Sequence, residues 1–195
     1  MKNNWSKNSA NKYIKKYKKL GFSKDLALRV YSTRLLGRNN ELVLHGGGNT
    51  SVKTTVKDID GKKYKVLCVK GSGWNMEDIE PAGLPAVKLE PLLGLRKKKY
   101  LSDEDMVSFQ KRNLIDIKSP NPSVETFLHA FLPFKFVDHT HADAILNVTN
   151  RPEGLNFCKK IFSNKVSVVP YVMPGFMLAK KINEIYSKNP NINCL

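Results

Sequence analysis

Two runs of β-branched and apolar residues, joined by a short Asp-Gly segment, constrain the fold more than any other feature of this sequence. The first run, TSVKTTV (residues 50–56), alternates in the way a half-buried strand does. The second, KYKVLCVK (63–70), is apolar enough for the centre of a sheet. The segment between them, DIDGK, carries the Asp-Gly signal of a hairpin turn. We therefore predict two neighbouring antiparallel strands in the first third of the chain.

Helical patterns precede and follow this pair of strands. FSKDLALRVYSTRLLGRN has Ser23 as a candidate N-cap, Asp25 in the first turn and Gly37 near the end. Further helices are predicted in GLPAVKLEPLLGLRKKKY with a break at Pro91, in SDEDMVSFQKRNLID, in SPNPSVETFLHAFLP and over residues 175–188. Short strands are predicted at ELVL, FKFVDH and KVSVVPYV. Intermingled helices and strands indicate an α/β sandwich with mixed or antiparallel pairing.

The charge balance is strongly basic, with 33 Lys and Arg against 17 Asp and Glu and a formal net charge of +16 over 195 residues. This length suits one domain, which we place at residues 21–195 after a basic N-terminal arm over residues 1–20. Such a charge can attract anionic or phosphate-bearing partners. The remaining lysines are scattered, which is more typical of a solvated surface, so we do not expect nucleic acid as a partner.

Cysteine usage and the apolar segments point to a cytoplasmic protein. Cys68, Cys158 and Cys194 match neither a metal pattern nor a disulfide framework. The N-terminus lacks the apolar core of a signal peptide. The stretch VSVVPYVMPGFMLA is too short to span a bilayer and contains two prolines. We therefore expect reduced thiols and no membrane contact.

The segment DHTH holds the first candidate for chemistry. If residues 136–141 are extended, His139 and His141 project from the same side, as half of a zinc site would. A lone pair of this kind is more often structural. Glu125 lies in the first turn of an apolar helix just upstream, after Pro120 and Pro122. It could ligate a metal, act as a base, or only complement the helix dipole.

Two glycine-rich loops form the second candidate. HGGGNTS (45–51) and KGSGW (70–74) each lie at a strand end, where bare backbone lets N–H groups approach an anion. Such loops also serve merely to turn a chain. Neither matches a P-loop or a dinucleotide fingerprint, so an anion pocket and a simple turn both remain possible.

Taken in order, these segments closely resemble the class II aldolase/adducin family. The similar stretches are LVLHGGGNTSVKTT, VLCVKGSGW, IEPAGLPAVKLEPLL, LSDEDMV, NPSVETFLHAFLP, FVDHTHADA and VVPYVMPGF, which together cover roughly residues 22–186. Within the family, the sequence looks most like the aldolase part of bifunctional rhamnulose-1-phosphate aldolase/short-chain dehydrogenase proteins. The resemblance implies a three-layer α/β/α sandwich with a mainly antiparallel central sheet.

The resemblance also implies an activity, which is zinc-dependent retro-aldol cleavage of a ketose 1-phosphate to dihydroxyacetone phosphate and a short aldehyde. His139 and His141 would ligate one Zn²⁺ per chain, and Glu125 would be the catalytic acid/base. A homotetramer is expected. The substrate phosphate would be bound by Gly48, Asn49, Ser72, Gly73 and Ser123.

Two departures from the family pattern limit these expectations. The family's zinc takes a third histidine from a later His-Gly segment, whereas this sequence has only His45, His129, His139 and His141. We therefore expect a C-terminally incomplete sandwich, and a non-catalytic fragment or scaffold of the same fold stays open as the alternative. Val124 stands where simpler members often carry a second Ser, which leaves one hydroxyl fewer for a phosphate.

Overall fold

The computed structural model describes residues 3–45, 47–192 and 194–195. Gly46 of the glycine run and the first two residues of the predicted arm therefore lie outside the described residues. The longer helices and the strands follow one another as α1 (Lys7–Lys18), α2 (Lys24–Gly37), β1 (Asn49–Lys57), β2 (Lys63–Val69), β3 (Ala86–Lys88), α3 (Leu89–Gly94), α4 (Asp103–Arg112), α5 (Thr126–Phe131), β4 (Phe136–His139), α6 (Asp143–Thr149), α7 (Gly154–Phe162) and α8 (Phe176–Lys188).

The four strands form one antiparallel sheet in the order β3-β2-β1-β4. β1 and β2 are the predicted hairpin, with Ser51 opposite Val69 and Lys57 opposite Lys63. Its turn contains Gly61 at φ +76°, a left-handed conformation that glycine adopts without strain. β4 pairs with the first half of β1 and places Asn49 opposite His139.

Helices cover both faces of the sheet, because alternate residues of a strand point to opposite sides. Val66 and Cys68 pack against the side chains of α1 and α2 in one buried cluster. Leu67 and Val69 pack on the other face, in a cluster that includes Phe127, Phe131 and Phe176 of α5 and α8. The predicted three-layer α/β/α sandwich with an antiparallel central sheet is confirmed.

Local capping signals set two helix starts. The hydroxyls of Ser23 and Ser102 accept hydrogen bonds from the backbone N–H groups of Leu26 and Asp105, so the predicted N-cap at Ser23 is present and Ser102 caps α4. Each such cap is worth about 1 kcal/mol.

The predicted arm is more ordered than its composition suggested. Lys7–Lys18 is a helix capped by Ser6, and its Tyr17 is fully buried against α2. The phenol of Tyr17 donates to Glu80, which also pairs with Arg34. The lysines of α1 lie on the exposed face of this packed helix. The helix was not predicted from the sequence, because the many lysines obscure its apolar pattern.

Three other predictions were wrong, and the extended conformation considered for residues 136–141 stops short of His141. Residues 41–44 (ELVL) and 165–172 (KVSVVPYV), all of them described, form no strand. Pro91 lies inside α3 instead of breaking a helix, since a first turn tolerates proline, and β3 precedes that helix. The strand that carries the first histidine ends at His139 and does not reach His141.

Within the described part of the chain, no helix is both long enough and apolar enough to cross a membrane.

Candidate active site

Strands β1 and β4 bring Asn49 and His139 together. The two residues are directly opposite in the antiparallel register. Odd-numbered residues of β1 point toward α5, as the contact between Ser51 Oγ and His129 Nδ1 at 2.8 Å demonstrates. Asn49 and His139 therefore face the layer that contains α5.

Glu125 is presented to the same place by the start of α5. Its backbone N–H donates to Ser123 Oγ at 3.2 Å, and the N–H of Ser123 donates to the carbonyl of Lys70 at 3.2 Å. The segment before α5 is thereby attached to the end of β2. The amide of Asn49 donates both to Ser123 Oγ, at 3.1 Å, and to the carboxylate of Glu125. Asn49, Ser123 and Glu125 form one hydrogen-bonded group.

The carboxylate of Glu125 also lies beside His139, with 2.9 Å between Oε2 and Nδ1. This ring nitrogen is buried, and the carboxylate is in contact with it without a well-formed hydrogen bond. Burial raises the pKa of Glu125, but His139 and the Asn49 amide outweigh that effect and bring the pKa below its ordinary value. Glu125 is therefore an ionised carboxylate at neutral pH, although its side chain is only 12% exposed.

His141 lies next to His139, with 4.7 Å between the ring centroids. Its backbone N–H donates to the carbonyl of Leu42 at 2.9 Å, which holds the chain in place after β4 has ended. Partial burial and the neighbouring His139 lower the pKa of His141. A lowered pKa favours the neutral imidazole, which is the form that binds metals.

The glycines of the first loop give these histidines room. A Cβ on Gly48 would lie 2.5 Å from the carbonyl oxygen of His139, and one on Gly47 would lie 2.9 Å from Nδ1 of His141. Gly48 also has φ +71°. Close approach of β4 therefore requires bare backbone here, whether or not the loop also binds an anion.

The second glycine-rich loop, residues 70–74, lies next to the hydrogen-bonded group of Asn49, Ser123 and Glu125. The backbone N–H of Ser72 donates to the carbonyl of Asn121 at 2.8 Å, which connects this loop to the segment that carries Ser123. Ser72 and Gly73 are both exposed, and Gly73 has φ +81°. Val124 is half exposed and has no polar group to donate.

The donor chemistry of the site fits a divalent metal in part. Two imidazoles and a carboxylate are groups that zinc prefers. Nδ1 of His139 is buried and lies 2.9 Å from Oε2 of Glu125, so an imidazole and a carboxylate are in contact. However, no group of three or more His, Cys, Asp or Glu side chains is spaced for a metal ion among the residues with described positions. The described residues thus place two imidazoles and a carboxylate near one another without forming a complete metal site.

Three buried polar residues near the site were not predicted from the sequence. Lys70 is 7% exposed at the end of β2, and His129 is fully buried in α5, where burial lowers its pKa to about 3. Arg29 of α2 is 1% exposed, pairs with Asp138, and donates to the carbonyls of Ser51 and Val137 at 3.0 and 3.4 Å. The available signal was a charged or polar residue within an apolar run, which by itself does not identify a contact.

A shallow groove of about 730 Å³ runs beside the site. It is lined by residues 40–42, Leu44 and residues 142–144. His141 precedes one of these walls in the chain, and its N–H donates to the carbonyl of Leu42 in the other. Another groove, of about 500 Å³, lies along α8 and is distant in sequence from every candidate site residue.

Comparisons with known proteins agree with this architecture. A model of the class II aldolase and adducin N-terminal domain matches residues 28–193. The solved N-terminal class II aldolase domain of a conserved protein from Thermoplasma acidophilum is 42% identical with a TM-score of 0.83, covering 97% of this chain and 82% of that one. The chain belongs to the class II aldolase and adducin family.

A curated relative is a much longer protein. The uncharacterized oxidoreductase YuxG of Bacillus subtilis (strain 168) is 43% identical over 162 residues, which make up 83% of this chain. The matched region is 24% of that relative's length. The activity of that whole protein therefore cannot be assigned to this domain.

Proposed function

We propose that this domain cleaves a ketose 1-phosphate of the rhamnulose-1-phosphate type by a zinc-dependent retro-aldol reaction. The products would be dihydroxyacetone phosphate and a short aldehyde. The observation that carries the proposal is the ionised, nearly buried carboxylate of Glu125 beside His139, with His141 adjacent. Family membership supports the reaction class.

His139 and His141 would hold the metal. A zinc ion supplies Lewis-acid stabilisation for the negative charge that develops on the ketose oxygens. The other coordination positions would be taken by substrate and by groups outside the described residues. Nδ1 of His139 is buried and in contact with the Glu125 carboxylate without a well-formed hydrogen bond, which leaves its hydrogen-bonding capacity unfilled and supports a role in ligand binding.

Glu125 would move the proton. Cleavage breaks a carbon–carbon bond, releases the proton of the hydroxyl that becomes the aldehyde, and leaves the electron pair on the phosphate-bearing fragment. The low pKa of Glu125 keeps its carboxylate ionised before substrate arrives, so it could accept that hydroxyl proton and then give it to the carbon of the fragment that becomes dihydroxyacetone phosphate. The carboxylate accepts from the Asn49 amide, and the backbone N–H of Glu125 donates to Ser123 Oγ, which together fix its orientation for this transfer.

The phosphate would be bound at the edge of this group. Asn49 and Ser123 lie within hydrogen-bond distance of each other, and the Ser72 loop is attached to the strand segment before Ser123. Gly48 and Gly73 contribute backbone near these positions. Neutral donors of this kind fix the reacting bond relative to Glu125.

The competing possibility is a non-catalytic domain of the same fold. It is favoured by the lack of a third metal-spaced ligand among the described residues. The two possibilities differ in zinc affinity, since only the catalytic domain requires a bound metal. We also propose a homotetramer in solution, which light scattering would test.

The deciding experiment measures zinc per chain in the purified protein and in the His139→Ala/His141→Ala double variant. We expect about one zinc ion per chain in the wild type and almost none in the variant. His45→Ala is the matched control, because His45 is exposed and outside the hydrogen-bonded group. Release of dihydroxyacetone phosphate from rhamnulose 1-phosphate then tests the reaction.

Absence of zinc from the wild type, with no cleavage after zinc is added, would overturn the proposal in favour of the scaffold. Zinc that is retained by the double variant would show that the metal is bound at another place. Zinc binding without cleavage of any ketose 1-phosphate would support the proposed metal site but contradict the proposed aldolase activity.

A further inference from the structure

Lys70 is a largely covered cation whose charge has no protein partner among the described residues. The residue is 7% exposed, and its ammonium, which is not among the fully buried polar atoms, makes no hydrogen bond or ion pair with any residue in the described part of the chain. The other deeply placed cations are different. Arg29 is paired with Asp138 and donates to two carbonyls. The ammonium of Lys53 donates to three carbonyls at 2.7–2.8 Å.

The backbone of Lys70 is fixed between the two segments that build the candidate active site. Its N–H donates to the carbonyl of Thr50 at 3.0 Å, and its carbonyl accepts from the N–H of Ser123 at 3.2 Å. Thr50 follows Asn49 directly, and Asn49 donates to Ser123 Oγ. Lys70 is therefore a neighbour of the hydrogen-bonded group in space, although it belongs to neither segment.

The covering of the side chain limits where its charge can act. The aliphatic stem of Lys70 is packed in the fold, while the ammonium stays open to solvent beside the hydrogen-bonded group. Burial lowers the pKa of Lys70, while the negative charge of Glu125 acts in the opposite direction, so the ammonium lies within the field of the Glu125 carboxylate. A residue that served only the packing of the fold could equally be Met, which fills similar space without a charge.

We propose that Lys70 binds the anionic group of the substrate, a phosphate, and makes the site selective for a charged sugar over a neutral one. This inference rests on the proposed function, because it takes the Asn49–Ser123–Glu125 group to be the active site. The phosphate would be the anionic partner of the Lys70 ammonium, which no described protein group provides. Asn49 and Ser123 offer neutral donors, whereas Lys70 adds a charge, which roughly doubles the strength of a hydrogen bond to an oxyanion.

The test measures binding of inorganic phosphate by calorimetry at constant ionic strength, in the wild type and in Lys70→Met. We expect the variant to lose about tenfold or more in affinity. The control is Lys65→Met, which removes an exposed lysine from the same strand and changes the net charge equally. Affinity in that control should match the wild type, which separates a specific contact from general attraction to a basic protein.

Stability gives an independent readout. Because the side chain of Lys70 is largely covered and its charge has no protein partner among the described residues, Lys70→Met should melt at or above the wild-type temperature while binding phosphate more weakly. A residue that only supported the fold would show the reverse. If Lys70→Met does not fold, Lys70→Gln keeps a polar side chain of similar length and serves for the same comparison.

Unchanged phosphate affinity in both Lys70 variants would overturn the inference, and so would a wild type that binds neither phosphate nor acetate. Binding of acetate but not phosphate, lost in Lys70→Met, would contradict the phosphate assignment and make the ligand group a carboxylate. Lys70-dependent phosphate binding without aldol cleavage would support this inference while rejecting the proposed reaction. Cleavage with an unchanged KM in Lys70→Met would support the proposed reaction and contradict a role of Lys70 in binding the substrate.

Discussion

Oε2 of Glu125 lies 2.9 Å from Nδ1 of His139, although the two residues are supplied by different layers of the fold. His139 ends strand β4, and Glu125 is the N-cap residue of helix α5. Asn49 joins them, since it is opposite His139 in the sheet and donates to the carboxylate. The geometry of this group leads to the following expectations.

Glu125→Gln should lower kcat for ketose 1-phosphate cleavage by a factor of about 10²–10⁴, the usual contribution of a positioned acid/base. Zinc content should stay unchanged, because the amide retains the size of the carboxylate and both histidines remain. Steady-state kinetics and metal analysis on the same preparation measure the two effects. Glu104→Gln, on the exposed first turn of α4, is the control and should behave as wild type.

Arg29→Met should destabilise the protein by about 2–4 kcal/mol, because the carbonyls of Ser51 and Val137 lose their charged donor in a buried place. Amide exchange in β4 should rise more than in β2, since the lost contacts connect β4 to α2. Urea unfolding and hydrogen exchange measure these changes. Arg38→Met removes an exposed arginine at the end of the same helix, and an equal loss in that variant would contradict the assignment.

Gly48→Ala should cost about 2–4 kcal/mol, the sum of a left-handed backbone at φ +71° and a Cβ placed 2.5 Å from the His139 carbonyl. Gly61→Ala provides the matched comparison, because Gly61 has φ +76° but nothing within 4 Å of the added carbon. It should cost only about 1 kcal/mol. Equal losses of unfolding free energy in the two variants would show that contact with β4 is not what requires glycine at 48.

Glu80→Gln should make stability less dependent on acid pH. Burial raises the pKa of Glu80, but hydrogen bonds from Tyr17, Arg34 and Lys16 lower it below its ordinary value of 4.5. A carboxyl whose folded pKa is depressed stabilises the protein above the unfolded pKa and loses that effect as pH falls through the folded pKa.

At pH 7 the substitution should therefore cost about 1 kcal/mol, a modest figure because Glu80 is 41% exposed and solvent screens its ion pairs. The difference between the two proteins should shrink as pH falls below 4.5. Urea unfolding of both proteins across this range measures it. A difference that grows toward acid pH would contradict the sign.

Local patterns in the sequence were sufficient for much of the architecture. The hairpin of β1 and β2, the caps at Ser23 and Ser102, and the final helix all depend on contacts between residues close in the chain. Such contacts are visible as alternation, helical spacing and turn residues. The apolar run KVSVVPYV failed as a strand because a strand needs a partner, and apolar composition does not supply one.

The candidate site shows the limit of this reasoning. His139, His141 and Glu125 could be named as residue types suited to chemistry, but their mutual distances could not be derived. The contact between Asn49 and Glu125 joins residues 76 positions apart and exists because the sheet register and the packing of α5 place them on one face.

The same reason explains Lys70 and Arg29. In the sequence each is one basic residue among 33. Only the packing of every layer of the fold shows that the charge of Arg29 is paired with Asp138 while the charge of Lys70 has no protein partner among the described residues. Residue identity and spacing are properties of the chain, so they set the elements and the available chemistry. Proximity and desolvation arise when distant segments pack, so tertiary structure alone decides which of those groups act together.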